Sequence, residues 1–163
     1  MILPDVLKIN LDVVFCGSAV GSASALKQAY YAGNGNKFYP ILAKTGLTPV
    51  LLLPQQYMQV LEFNIGLTDM VKTVSGSDSI LKKEDFDSEG FRNKILNYQP
   101  RMVCFNGKAA AAAFLSKRTK DISYGLLPVS IEKTKLFVAP STSGSANGCW
   151  DESYWFMLRK LIK

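Results

Sequence analysis

Val13-Val14-Phe15-Cys16-Gly17-Ser18-Ala19-Val20-Gly21-Ser22-Ala23-Ser24 is an apolar run that empties into a loop of Gly, Ser and Ala. Asp12 to Gly17 lacks the polar–apolar alternation of a half-solvated strand, so it reads as a strand buried on both faces. A second stretch of the same design lies near the other end, Leu136-Phe137-Val138-Ala139-Pro140-Ser141-Thr142-Ser143-Gly144-Ser145-Ala146-Asn147-Gly148. Loops this poor in bulky side chains bring bare backbone N–H groups close to an electron-rich partner, usually phosphate. Two of them at strand ends predict a binding crevice along one edge of a sheet.

Working outward, apolar strand-like runs alternate with helical segments, the pattern of βαβ units and a parallel sheet. Ala25 to Tyr31 reads as a short helix or turn, followed by the loop Ala32-Gly33-Asn34-Gly35-Asn36 and a helix over Lys37 to Lys44 closed by Gly46. A helix over Pro54 to Glu62 has proline in its first turn. Asn64 to Val71 reads as a strand ending near Thr68-Asp69, and Lys72 to Asp87 as a polar surface loop. Phe91, Ile95 and Tyr98 set a helix over Ser88 to Tyr98, with Pro100 just beyond it. Arg101 to Asn106 is a further strand, Ala109 to Leu115 a small-residue helix that packs closely on the sheet, and Lys135 to Ala139 the last strand. Asp151 to Lys163 closes as a helix, acids first and bases last, with Trp150, Tyr154, Trp155 and Leu158 on its core side. The expected fold is one domain over residues 1–163, a three-layer α/β/α sandwich on a mainly parallel four-stranded sheet.

Composition narrows the function. The chain has no histidine, which removes most ordinary catalytic machinery. Cys16, Cys104 and Cys149 have no metal-ligand spacing, and two of them sit in apolar runs, which fits free thiols in a reducing cytoplasm. The N-terminus lacks a basic segment and a continuous apolar core, so no secretory signal is expected. Apolar runs such as Ala109 to Leu115 are too short to span a bilayer, and no membrane partner is expected. The net charge of +6 favours polyanions, of which nucleic acid is the commonest, although a solubilising excess accounts for it equally well.

Gly17 to Gly21 lacks the G-x-G-x-x-G spacing of a dinucleotide loop, and Gly107-Lys108 lacks the upstream glycine and following Ser/Thr of a P-loop. The segment Tyr30-Tyr31-Ala32-Gly33-Asn34-Gly35-Asn36-Lys37-Phe38-Tyr39 is richer, because an aromatic face and an amide are what a flipped base needs: stacking plus hydrogen bonds to its edge. Core packing and turn formation account for the same residues without any ligand. Taken together, Val13 to Gly21, Tyr31 to Phe38, Gly66 to Asp69, Asn106 to Ala109 and Pro140 to Asn147 resemble the mismatch-specific uracil/thymine branch of the uracil-DNA glycosylase superfamily.

That resemblance implies an α/β/α fold, a monomer acting on duplex DNA with a G:U or G:T mismatch, and hydrolysis of an N-glycosidic bond with no metal or organic cofactor. It makes Gly17, Ser18 and Ala19 a wall of the uracil pocket and Tyr31 the stacking aromatic, with Phe38 beside it. Asn36 matches an edge-reading asparagine, although Gly33-Asn34 stands where relatives have His-Pro. Ser141, Ser143, Gly144, Ser145, Ala146 and Asn147 match the loop that grips phosphate and fills the gap in the duplex. Ser22, Ser24 and Lys108 are further DNA-facing candidates, with Lys72 as another phosphate contact.

Ala19 departs from the family pattern, since the best-known members carry a water-orienting asparagine there and a methyl group cannot do that work. Glycosidic cleavage develops positive charge on the sugar, which an ionised carboxylate stabilises while orienting water. Asp69, at the carboxyl end of its strand, is the best placed acid and the expected catalyst. Its plainer reading is a helix cap or a surface ion pair with Lys72. Asp12 lies at the wrong end of the first strand, and Asp78, Glu84, Asp85, Asp87 and Glu89 read as solvated. Two rivals stand beside the glycosylase: a non-catalytic module holding uracil or abasic sites, and an α/β domain for a small phosphorylated ligand.

Overall fold

The computed structural model describes residues 2–162. Five strands, β1 (Val13–Ala19), β2 (Ile65–Val71), β3 (Met102–Asn106), β4 (Gly125–Ile131) and β5 (Thr134–Ala139), form one sheet in the order β2-β1-β3-β5-β4. β1 lies between β2 and β3 and runs parallel to both, with Val13 opposite Ile65 on one side and Met102 on the other. Val13 to Cys16 are fully buried, as the missing alternation requires. β5 continues the parallel ladder beside β3.

The sheet has one strand more than the four expected. β4 pairs antiparallel to β5 through a turn at Glu132-Lys133, with Glu132 at φ 52°. Pro128 and a register shift between Leu126 and Ser130 break the alternation that would have announced it. Proline is tolerated because β4 is an edge strand whose outward N–H groups need no partner in the sheet.

Helices α1 (Ser22–Lys27), α2 (Phe38–Thr45), α3 (Ser88–Tyr98), α4 (Lys108–Leu115) and α5 (Ser153–Ile162) make up the outer layers. The helix expected over Pro54 to Glu62 is a 3₁₀ segment, Pro54–Phe63, kinked at Gln56. α5 starts two residues later than expected because the Asp151 carboxylate accepts the Ser153 N–H at 3.0 Å; Lys163 lies outside the described residues. Alternate residues of each strand supply the two faces. On one face Val13, Phe15, Leu67 and Phe137 pack against Phe38, Leu42, Val60, Trp155 and Leu158. On the other Val14, Cys16, Val103 and Phe105 pack against Phe91, Ile95 and the alanines of α4. This is the α/β/α sandwich that the pattern predicts.

Two tertiary contacts frame the sheet. The outer edge of β2 is covered by the N-terminal segment, where Val6 and Leu67 exchange backbone hydrogen bonds of 2.9 Å in both directions. Trp155 stacks on Phe15 with ring centroids 5.5 Å apart, and its Nε1–H donates to the Pro140 carbonyl at 3.1 Å. The indole therefore pins the start of the Gly/Ser loop after β5 to the core. Trp155→Ala is expected to cost about 3–5 kcal/mol in urea unfolding, the range for losing a buried large aromatic.

Candidate active site

The chain leaves β1, adds β2 on one side and then crosses to add β3 on the other. The carboxyl ends of β1 and β3 therefore part at a topological switch point, where an open α/β sheet leaves a crevice. A cleft of about 440 Å³ opens there. Gly17 and Ala19 from β1, Asp69 from β2, Asn106 from β3 and Gly107 just after it form its floor. Tyr31 and Asn36 form one wall, and Ser141, Thr142, Ser143, Ser145 and Ala146 the other. A larger cleft, about 600 Å³, lies at the amino ends of the strands, where Asp12 and Arg101 pair at 3.6 Å. No buried unpartnered polar atom faces that one among the described residues.

Asp69 and Gly17 are register partners across the β1–β2 ladder, so their side-chain positions share one face. A Cβ on residue 17 would stand 3.2 Å from Asp69 Oδ1 and 3.7 Å from the Tyr31 hydroxyl. Glycine at 17 thus leaves room for a carboxylate that enters from the neighbouring strand. β2 runs two residues past the end that its sequence predicts, so Asp69 sits inside the strand and is only 4% exposed. Burial pushes its carboxyl up to about 6, against the opposing pull of Lys72 and the Tyr30 hydroxyl. The ion pair with Lys72 exists, at 3.5 Å from Oδ2, but it is buried rather than superficial. Lys72 also pairs with Asp5 at 2.9 Å, so its ammonium is shared between two carboxylates, and it is not among the residues that line the crevice.

Tyr31 adopts φ 54°, a left-handed conformation uncommon for an aromatic residue. Ser24 explains how it is held: its hydroxyl, buried, accepts the Ala32 N–H at 2.8 Å, and Lys27 donates to the Ala32 carbonyl at 3.0 Å. Ser24 is thus a brace for this turn, and it also lines the crevice. Phe38 is likewise fully buried and lies behind Tyr31, the rings stacked 3.9 Å apart at 28°. It does not line the crevice. The Tyr31 hydroxyl is buried without a hydrogen-bond partner, and burial beside Asp69 drives its pKa well above the usual range.

Asn36 lines the cleft, but its Oδ1 accepts the Phe38 N–H at 3.0 Å, which leaves the NH₂ as its free end. Ser22 and Lys108 line the mouth, and Lys108 Nζ lies 4.5 Å from the centre of the Tyr124 ring. Ser141, Ser143, Ser145 and Ala146 line it too, with Ser143 accepting the Ser145 N–H at 3.3 Å. Gly144 and Asn147 stand outside the lining. A Cβ at Gly144 would meet the Asn34 carbonyl at 3.1 Å, and Asn147 accepts from Lys37. Ser18 is not among the lining residues and donates to Asp78, an exposed acid at the mouth. Asn106 was not singled out from the sequence. Its amide exchanges two 3.0 Å hydrogen bonds with Thr142, and so joins the end of β3 to the Gly/Ser loop. An Asn-Gly pair closing an apolar run was the available signal. Gly107, at φ 103°, then lets the Ser141 backbone approach.

Comparison with known proteins covers nearly the whole chain. The family model described as "Uracil DNA glycosylase superfamily" matches residues 4–159. Among solved structures, the solution NMR structure of a Methanosarcina acetivorans protein, described as a "putative Uracil DNA glycosylase", superposes with a TM-score of 0.69. It is 23% identical, and the match covers 98% of this chain and 96% of that one. At that identity the likeness shows the fold.

The buried acid has a consequence for stability. Its carboxyl binds a proton more tightly folded than unfolded, so ionising it opposes the fold: the penalty is absent below the ordinary value of 3.8 and complete above about 6. Asp69→Asn is expected to be more stable than wild type by about 1–3 kcal/mol at neutral pH, an advantage that vanishes in acid. Urea midpoints across the pH range check this.

Proposed function

The chain belongs to the uracil DNA glycosylase superfamily, and from that premise we propose that it is a monofunctional DNA glycosylase which takes uracil out of duplex DNA, preferring G:U mismatches. The observation that carries this reading is the Asp69 carboxyl, nearly buried, raised to about 6 and open to the crevice beside Gly17. It supplies the polar group that Ala19 lacks.

The reaction follows from that arrangement. A flipped uracil lies against Tyr31, with the Asn36 NH₂ and the backbone N–H groups of the Gly17 to Gly21 loop at its oxygens. The C1′–N1 bond breaks, its electron pair leaves with the base as the uracil anion, and the sugar becomes an oxocarbenium-like cation. Asp69, ionised, stabilises that cation and takes a proton from the water whose oxygen bonds C1′. Asp69 then gives its proton up to solvent and the uracil anion takes one from solvent, so the products are uracil and an abasic site. A carboxyl near 6 is ionised at neutral pH yet basic enough to receive the proton. Lys108 and the Ser141, Ser143 and Ser145 hydroxyls at the mouth hold phosphate, so affinity for DNA falls steeply with salt.

The methyl of Ala19 also favours one rival, a module of the same fold that binds uracil or abasic sites without cleaving. Synthetic duplexes with G:U, G:T or A:U pairs, and a single strand with uracil, separate the two when treated with protein and then alkali. Wild type is expected to cut best at G:U, with activity falling as pH drops below about 6 because the base must be ionised. Asp69→Asn is expected to lose about 10²- to 10⁴-fold in rate while keeping its DNA affinity. Tight gel-shift binding without release of free base by wild type supports the binding module instead, and full activity in Asp69→Asn removes the carboxylate from the mechanism.

A further inference from the structure

Asp69 is one member of a chain of charges that wraps the outer edge of β2. Lys72 Nζ lies 3.5 Å from Asp69 Oδ2, 2.9 Å from Asp5 Oδ1 and 3.2 Å from the Tyr30 hydroxyl. Asp5 Oδ2 lies 2.6 Å from Lys94 Nζ. Thr68 donates to Asp5 at 2.7 Å and accepts from Lys94 at 3.1 Å. Acid and base thus alternate, and the four charged side chains are only 4–22% exposed, so solvent screens them weakly. Lys72 stands closer to Asp5 than to Asp69.

We propose that Lys72 and Asp5 are positioning residues for Asp69: Asp5, carried by the segment that covers the β2 edge, draws Lys72 partly off the carboxylate and leaves Oδ1 available in the crevice. This rests on the reading of Asp69 as the catalytic base. A lysine given wholly to Asp69 would tie up its electrons and make it a weak base. With no lysine, a carboxyl this deep would hold its proton to higher pH and be less often in its base form. Sharing one ammonium between two carboxylates sets the value between those failures.

The Tyr30 hydroxyl adds a neutral pull toward the ionised form, and the balance of charge is left to Lys72 and Asp5. From β1, burial pushes the Cys16 thiol up and keeps it neutral; burial does the same to the Tyr30 and Tyr31 hydroxyls on the segment after α1. From α3, Lys94 reaches Asp69 only through Asp5 and Thr68. Burial tends to raise Asp5 too, but its hydrogen bonds from Lys94 and Lys72 bring it below the ordinary carboxylate value, so it stays charged.

The test uses signed shifts. The Asp69 side-chain carboxyl is titrated by ¹³C NMR in the free protein, and uracil release from a G:U duplex is followed across the same pH range. Asp5→Asn, which removes the competing charge and frees Lys72, is expected to move the Asp69 midpoint and the acid limb of the rate profile down by about one pH unit. Lys72→Met is expected to move both up by about one unit, roughly a tenfold slower rate on the acid limb at fixed pH. Lys72→Arg, which keeps the charge, is expected to restore the wild-type titration. A purely structural role would change stability without these opposed shifts. Unmoved midpoints, or shifts of the same sign in Asp5→Asn and Lys72→Met, overturn the proposal. If Lys72→Met proves unfolded by circular dichroism, Asp5→Asn against wild type decides it. Absence of uracil release in every form, with the NMR shifts as expected, sinks the glycosylase reading and leaves the coupling standing.

Discussion

The pairing of Gly17 with Asp69 across the β1–β2 ladder is the contact on which the crevice depends. A carboxylate at that register can face the switch point only if the central strand offers no side chain opposite it. Any Cβ at 17 would press within 3.2 Å of the acid. Because the chain continues from β1 to one neighbour and then crosses to the other, the sheet opens at the carboxyl end of β1, over a buried acid. The turn at Tyr31 and the loop after β5 are then aimed at that place from opposite walls, the first braced by Ser24 and the second by Trp155 and Asn106.

Holding an acid at 4% exposure is costly, and the fold offsets the cost locally. The N-terminal segment does two jobs within two residues. Val6 satisfies the backbone of the β2 edge, and Asp5 anchors the lysine that partners Asp69. Closing the sheet edge and charging the site are therefore one structural event. An exposed β2 edge would leave Leu67 unpaired and would also let water screen the Asp5–Lys72–Asp69 chain.

The layers, the parallel strands and the crevice were legible in the sequence because unbroken apolar runs and Gly/Ser loops follow from backbone burial alone. β4 was not, since Pro128 and a bulge conceal an edge strand whose pairing is decided by β5. Asp69 was legible as an acid at a strand end, whereas its raised proton affinity comes from burial and from the charge of Asp5, against the pull of Lys72 and Tyr30. These partners are distant in the chain or not recognisable as partners. Ser24 and Phe38 show the same limit from the other side. Their residue types fit a ligand site, yet packing spends Ser24 on the Ala32 N–H and Phe38 on the ring of Tyr31. Asn106 was hidden because its role, a double hydrogen bond to Thr142, is purely tertiary.

The lack of histidine gives these placements their chemical meaning. No side chain of this chain titrates near neutrality at its ordinary value, so a neutral-pH base has to be made by environment. Burial moves thiols and phenols away from that window, as Cys16, Cys104 and Tyr31 show, but moves a carboxyl into it. Depth is therefore the means by which this fold obtains a base, and it supplies no matching acid, because the phenols beside Asp69 hold their protons too tightly to give them up. On the glycosylase reading, such a site works only on bases that depart as stabilised anions. Uracil, with its charge spread over two carbonyl oxygens that backbone N–H groups and an amide can meet, suits it; a purine that must be protonated before it leaves does not.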